Sequence, residues 1–96
     1  MPNANYRAGS RLERMWCHLM IRRGYETTRS AGSKGLIDCH AWNAKEHIYA
    51  QIKNGRKAYN DNDIGELIAM PRPAGTKVFL CVRDTDERDG WEWIPC

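Results

Sequence analysis

Residues 36–53 read LIDCHAWNAKEHIYAQIK, and their pattern decides the fold. Leu36 to Trp42 alternates as a strand. Leu36, Asp38, His40 and Trp42 share one face, and Ile37, Cys39 and Ala41 share the other. Asn43-Ala44-Lys45 makes a short turn. His47 to Lys53 alternates again, with Ile48, Ala50 and Ile52 opposed to His47, Tyr49, Gln51 and Lys53. Two such runs around a tight connection read as a hairpin. If the hairpin is antiparallel, Asp38 sits beside Gln51 and Lys53.

Upstream, Ser10 to Arg23 is predicted as a helix. Ser10 is a good N-cap with Glu13 three places on, the capping-box spacing, and Gly24 is a good C-terminal stop. Leu12, Met15, Trp16, Leu19 and Met20 form one apolar face. Arg7, Arg11, Arg14, His18 and Arg22 line the opposite side, and Glu13 falls at the apolar edge. Residues 1–8 are expected to be a flexible arm. Tyr25 to Arg29 reads as a strand with β-branched threonines, followed by the glycine-punctuated loop RSAGSKG at 29–35.

Downstream, Asn54-Gly55 ends the third strand. Asn60 to Met70 is a shorter helix, opened by Asn and Asp and stopped by Pro71, with Ile64, Leu67 and Ile68 as its stripe. Thr76 to Val82 is an apolar strand expected at the centre of the sheet, and Gly90 to Ile94 is a final edge strand. The order is αβββαββ, one domain over residues 1–96, of α/β class with a mixed sheet flanked by helices.

The chain has 96 residues, 42% hydrophobic and 28% charged, near the averages for a globular domain. No apolar run approaches the ~20 residues of a membrane span, and residues 1–10 lack the apolar centre of a signal peptide. The net charge of +3 hides an asymmetry: residues 1–57 hold 11 Lys and Arg against 4 Asp and Glu, whereas residues 58–96 hold 4 against 8. A basic half suggests a polyanion partner such as nucleic acid; chance clustering on a solvated surface is the plainer reading. Cys17, Cys39, Cys81 and Cys96 form no CxxC pair and match no zinc spacing. They read as reduced, buried thiols of a cytoplasmic protein.

Asp38, Gln51 and Lys53, approached by Glu13 from the helix, would gather oxygen donors around one lysine. Phosphodiester hydrolysis needs such a set. A hard cation neutralises the phosphate and lowers the pKa of an attacking water, Mg²⁺ takes oxygen ligands, and a lysine offsets developing negative charge. Each residue also has a plainer reading. Glu13 is the capping-box partner of Ser10, Lys53 a strand-end lysine shielding an edge, His40 a structural histidine. Asp38 is harder to explain that way, because strands disfavour Asp.

The pattern Gly9-Ser10-x-x-Glu13-Arg14, Gly24-Tyr25, Arg29-Ser30-Ala31-Gly32-Ser33-Lys34-Gly35-x-x-Asp38 and Gln51-x-Lys53 resembles the archaeal-type Holliday junction resolvases of the PD-(D/E)XK nuclease superfamily. The D…(E/Q)xK core alone is weak; the helix glutamate and the RSAGSKG loop make the combination specific. The resemblance implies a restriction-endonuclease-like core. It implies Asp38 as metal-binding aspartate, Gln51 at the second carboxylate position, Ile52 lending its main-chain carbonyl, Lys53 as catalytic lysine and Glu13 as the additional carboxylate. It also implies Ser33 as a loop serine needed for cleavage, with Arg14 and Arg29 holding DNA phosphates. Arg11, Arg22 and Lys34 extend that basic surface. The family usually has Glu where Gln51 stands, and an amide oxygen ligates without bringing charge.

The activity implied is a Mg²⁺-dependent endonuclease, with Mn²⁺ able to substitute, that makes paired symmetric nicks in four-way DNA junctions. Paired nicks suit a two-fold homodimer, for which Ile64, Leu67, Ile68, Trp91 and Trp93 are candidate interface residues, or else plain core. Two alternatives stay open: a general nuclease for branched DNA, and a DNA-binding module silenced at Gln51.

Overall fold

The computed structural model describes residues 4–30 and 35–96, with side chains from residue 9. Its middle strand is β3 (His47–Lys53), the second arm of the expected hairpin. β2 (Cys39–Trp42) and β1 (Glu26–Arg29) lie on one side of it, and β4 (Thr76–Arg83) and β5 (Trp91–Pro95) on the other. All neighbours are antiparallel except β3 and β4. A parallel pair needs a crossover, and the chain supplies it as a single turn of 3₁₀ helix and α2 (Asp61–Ala69). The order αβββαββ is the one the sequence suggests. The apolar strand expected at the centre, β4, lies one place off it, flanked on both sides.

Two helices cover the two faces. α1 (Ala4–Arg22) lays Leu12, Trp16, Cys17 and Met20 on Cys39, Ala41, Ile48, Ala50, Cys81 and Trp91. Trp16 is wholly buried; an indole hides roughly 200 Å², worth on the order of 5 kcal/mol before its entropy cost. On the other face, α2 seats the fully buried Leu67 on Val78, Leu80 and Val82. α2 opens as its sequence predicts: Asn60 Oδ1 accepts from Asp63 N at 3.1 Å while Asp63 Oδ2 accepts from Asn60 N at 2.9 Å. The Arg72 guanidinium closes its far end, donating to the carbonyls of Leu67, Ile68 and Met70 and, at 2.8 Å, to that of Cys96. A cation there also suits the helix dipole.

Several expectations give way. α1 begins at Ala4, not Ser10, so residues 4–8 belong to a helix rather than an arm. Ser10 stands in the helix interior and caps nothing. Met15 is 36% exposed, and Cys17 takes its place in the buried stripe. The regular part of β2 starts only at Cys39. Before it the alternation lapses, and Ile37 packs with Leu67 and Val78, on the face opposite Cys39 and Ala41. Leu67 and Trp91 are sealed in the chain's own core. Trp93 packs on Trp16 and Phe79, with ring centroids 5.9 and 5.4 Å away. None of these three is a free interface residue. Ile68, 60% exposed, and the half-buried Ile64 remain. All four thiols are free, as expected, and three are buried. No described helix is long and apolar enough to cross a membrane.

Candidate active site

Asp38 lies just before β2, yet its main chain is held in the ladder. Its N–H donates to Ala50 O at 2.9 Å, and its carbonyl accepts from Ser30 N at 2.9 Å. Its carboxylate reaches the same strand: Oδ2 accepts from Ile52 N at 2.8 Å. The aspartate thus takes a hydrogen bond that a main-chain carbonyl would otherwise make. It is pinned to β3 on both sides of Gln51, as the hairpin reading requires.

Burial holds the Asp38 carboxyl above the ordinary 3.8, while the Ile52 N–H and the nearby Lys53 ammonium pull the other way. Gln51 adds a second unmet demand. Its Oε1 is one of three buried side-chain polar atoms among the described residues with no partner, an arrangement that is costly unless something fills it. Lys53 belongs to the middle strand, so it shields no sheet edge and that plainer reading falls away.

Glu13 reaches this group from α1. With Ser10 inside the helix, the capping-box reading of Glu13 falls too. Its Oε1 accepts from Arg29 Nε at 3.2 Å. Burial raises the Glu13 carboxyl above the ordinary 4.5; the Arg29 hydrogen bond lowers it, and the charge of Asp38 raises it further. The two carboxylates therefore feel each other. Arg29 Nη2 also donates to Ser10 Oγ at 2.6 Å, and Arg14 Nη2 donates to that oxygen at 2.9 Å.

A divalent cation fits this donor set. Among the described residues, no three His, Cys, Asp or Glu side chains gather as a metal cluster would. The candidate donors are two carboxylates and an amide oxygen, to which the resemblance adds the Ile52 carbonyl, all hard oxygen donors of the kind Mg²⁺ prefers. The orphaned Gln51 oxygen and the two carboxyls held above their ordinary range are what such a cation would relieve.

Asp38 is thus held against β3 around Gln51, Lys53 is near enough to act on the Asp38 carboxyl, and Glu13 is near enough to feel the charge of Asp38, with Arg14 and Arg29 close to Glu13. Arg11 and Arg22 are exposed on α1. Ser33 and Lys34 lie outside the described residues. His40 makes its ring contacts with His47 and Tyr49, at 5.9 and 4.9 Å, and these two belong to no part of the site. Ser10 is the residue that sequence reasoning misassigned. The signal was its spacing of four from Arg14, which places the two side chains together once the helix starts earlier.

The five-stranded mixed sheet flanked by helices is a restriction-endonuclease-like α/β fold. The sequence profile of the family described as archaeal Holliday junction resolvase (Hjc) matches residues 4–96, and the chain belongs to that family. The crossover junction endodeoxyribonuclease Hjc of Methanocaldococcus jannaschii is 34% identical over 85 residues, 85% of this chain and 63% of that protein. The chain therefore spans less than two thirds of that relative's length. The 1.6 Å structure of Archaeoglobus fulgidus Hjc, a Holliday junction resolvase from an archaeal hyperthermophile, aligns with a TM-score of 0.69. It covers 92% of this chain and 72% of its own at 22% identity. At that identity the likeness bears on the fold.

Proposed function

We propose that this chain is a Mg²⁺-dependent endonuclease that cuts four-way DNA junctions with paired symmetric nicks. The observation that carries the reading is the convergence of Glu13, Asp38 and Lys53 on the strand that holds the orphaned Gln51 oxygen. Asp38, Glu13, Gln51 and the Ile52 carbonyl would hold the cation. Bound there, Mg²⁺ or Mn²⁺ would neutralise phosphate charge and make water a nucleophile near neutral pH. Lys53 orients that water and offsets the charge that develops on the phosphate. Arg14 and Arg29 hold the scissile strand, and the exposed Arg11 and Arg22 extend the contact along α1. Hydrolysis leaves a 5′-phosphate and a 3′-hydroxyl. The resemblance adds Ser33 and Lys34 to the phosphate contacts.

One chain offers one site, so two nicks call for two chains. A two-fold homodimer meets this, with Ile64 and Ile68 of α2 as its apolar contacts. A substrate of this kind would place the chain in the cytoplasm, with the DNA.

The test is cleavage of a synthetic four-way junction, a flap and a plain duplex, with and without Mg²⁺. Paired nicks in the junction alone, absent in EDTA, are expected. Equal cutting of the flap would favour the broader branched-DNA nuclease. Binding without cutting would leave a silent DNA-binding module.

A further inference from the structure

Ser10 is the only polar residue among the described ones that is buried as deeply as the core, 8% exposed. A serine inside a helix ordinarily turns its hydroxyl back on the preceding turn or out to water. This one instead accepts two guanidinium groups, Arg14 Nη2 at 2.9 Å from its own helix and Arg29 Nη2 at 2.6 Å from β1. Two cations drawn to one neutral oxygen repel each other. Among the described residues the only countercharge in contact is Glu13, 3.2 Å from Arg29 Nε. The cluster therefore has two positive charges against this one negative in contact, and Asp38 lies near enough to act on the Glu13 charge. It is built for a further anion, and Arg groups grip phosphate through such paired N–H donors.

We propose that Ser10 is a positioning residue. Its hydroxyl ties Arg14 and Arg29 together so that both meet one DNA phosphate, and it holds Arg29 where it orients Glu13. The proposal rests on the nuclease reading above. Ser10 touches neither phosphate nor metal, and it acts only through the arginines. Its loss leaves every charge in place but frees the geometry. Small displacements of positioned groups are expensive in rate, whereas counterion release depends on how many charges meet phosphate.

Three readouts on the full-length chain separate this role from mere packing. In metal-free, DNA-free protein, the Arg14 and Arg29 Nη–H proton signals should be resolved and slowly exchanging. They should collapse in Ser10→Ala with the melting temperature kept. Single-turnover junction cleavage should fall about tenfold or more in Ser10→Ala. It should fall by a similar factor in Ser10→Cys, which keeps the bulk but offers a weak acceptor. The salt slope of junction affinity should stay at the wild-type value, while Arg14→Ala lowers it by about one. A wild-type chain that cuts no junction overturns the nuclease reading, and the proposal with it. An active wild type with an unchanged cleavage rate in Ser10→Ala overturns the proposal alone. So does a loss in Ser10→Ala that Ser10→Cys restores, which would make Ser10 a packing residue.

Discussion

Two ion pairs lie on the α1 face of the sheet, alike in form and opposite in chemistry. Arg23 meets Asp89 at 3.0 Å and Arg29 meets Glu13 at 3.2 Å; the acids are 19% and 14% exposed. Burial pushes both carboxyls up. At Asp89 three donors outweigh it: Trp93 Nε1 at 2.9 Å, Trp91 N at 3.0 Å and Arg23, so the carboxyl ends below its ordinary value. At Glu13 one donor does not suffice, Asp38 pushes the same way as burial, and the carboxyl ends above its ordinary value. The satisfied acid staples the end of α1 to β5. The other, though paired with Arg29, carries a charge that burial and Asp38 disfavour. Unmet demand, rather than the presence of an ion pair, separates a functional carboxylate from a structural one.

The sharpest way to break this comparison is Asp38→Asn. The amide keeps the size and can still accept from Ile52 N, but it removes the charge of the proposed cation ligand. Junction cleavage should fall a thousandfold or more, in line with several kcal/mol of lost charge stabilisation. Binding should survive, because arginines and lysines supply most of the affinity. Near-normal cleavage of a junction in Mg²⁺ would remove the site.

Asp89→Ala should do the reverse. It strands the Trp93 indole N–H and frees Arg23, so it should cost about 2 kcal/mol of stability. Single-turnover cleavage well below the melting temperature should stay near wild type. A large loss of cleavage would mean that this end of α1 also serves the chemistry.

The reading of the sequence follows the same division. The hairpin and α2 with its Asn60–Asp63 cap were legible, since each depends on local alternation and spacing, and the ladder position of Asp38 opposite Gln51 follows from the hairpin register. Ser10 was misread because Ser and Glu three apart serve equally as a capping box and as two positions inside a longer helix. Asp89 was missed because its partner Arg23 lies 66 residues away, and nothing in its local sequence marks it until the chain closes. Ile37 was put on the wrong face because strict alternation was extended past the point where the Asp38 side chain takes over a ladder bond.

Acid and base should separate the two pairs in metal-free protein. Glu13 and Asp38 have folded values above their ordinary 4.5 and 3.8. Their contribution to stability is therefore fully present below those values and lost as pH rises through the raised ones. Asp89 is depressed; its contribution is present above 3.8 and lost as pH falls through the lower value. In EDTA, melting temperature against pH should favour Glu13→Gln over wild type increasingly from pH 4 towards neutrality. For Asp89→Asn, the deficit relative to wild type should shrink on acidification. Parallel curves for the Glu13 pair would contradict the unmet-demand reading. Mg²⁺ should raise the wild-type melting temperature and leave Asp38→Asn nearly unmoved.

The smallest expected effect comes from Gly9. Glycine inside a helix is worth about 1 kcal/mol less than alanine. A Cβ built at Gly9 meets nothing within 4 Å, and the same is true of Gly65 in α2. Packing therefore requires neither glycine. Gly9→Ala and Gly65→Ala should each raise stability by up to about 1 kcal/mol, several degrees in a domain of this size. They should part on function. Gly9 adjoins Ser10, which accepts from both arginines, and a bare helix backbone there would let a DNA phosphate come close. Gly65 has no such neighbour. Gly9→Ala should weaken junction affinity severalfold and leave the salt slope unchanged, since no charge is lost; Gly65→Ala should leave affinity alone. If Gly9→Ala gains stability and binds junctions as wild type does, DNA does not approach α1 at that point. The phosphate held by Arg14 and Arg29 would then have to sit farther toward Glu13.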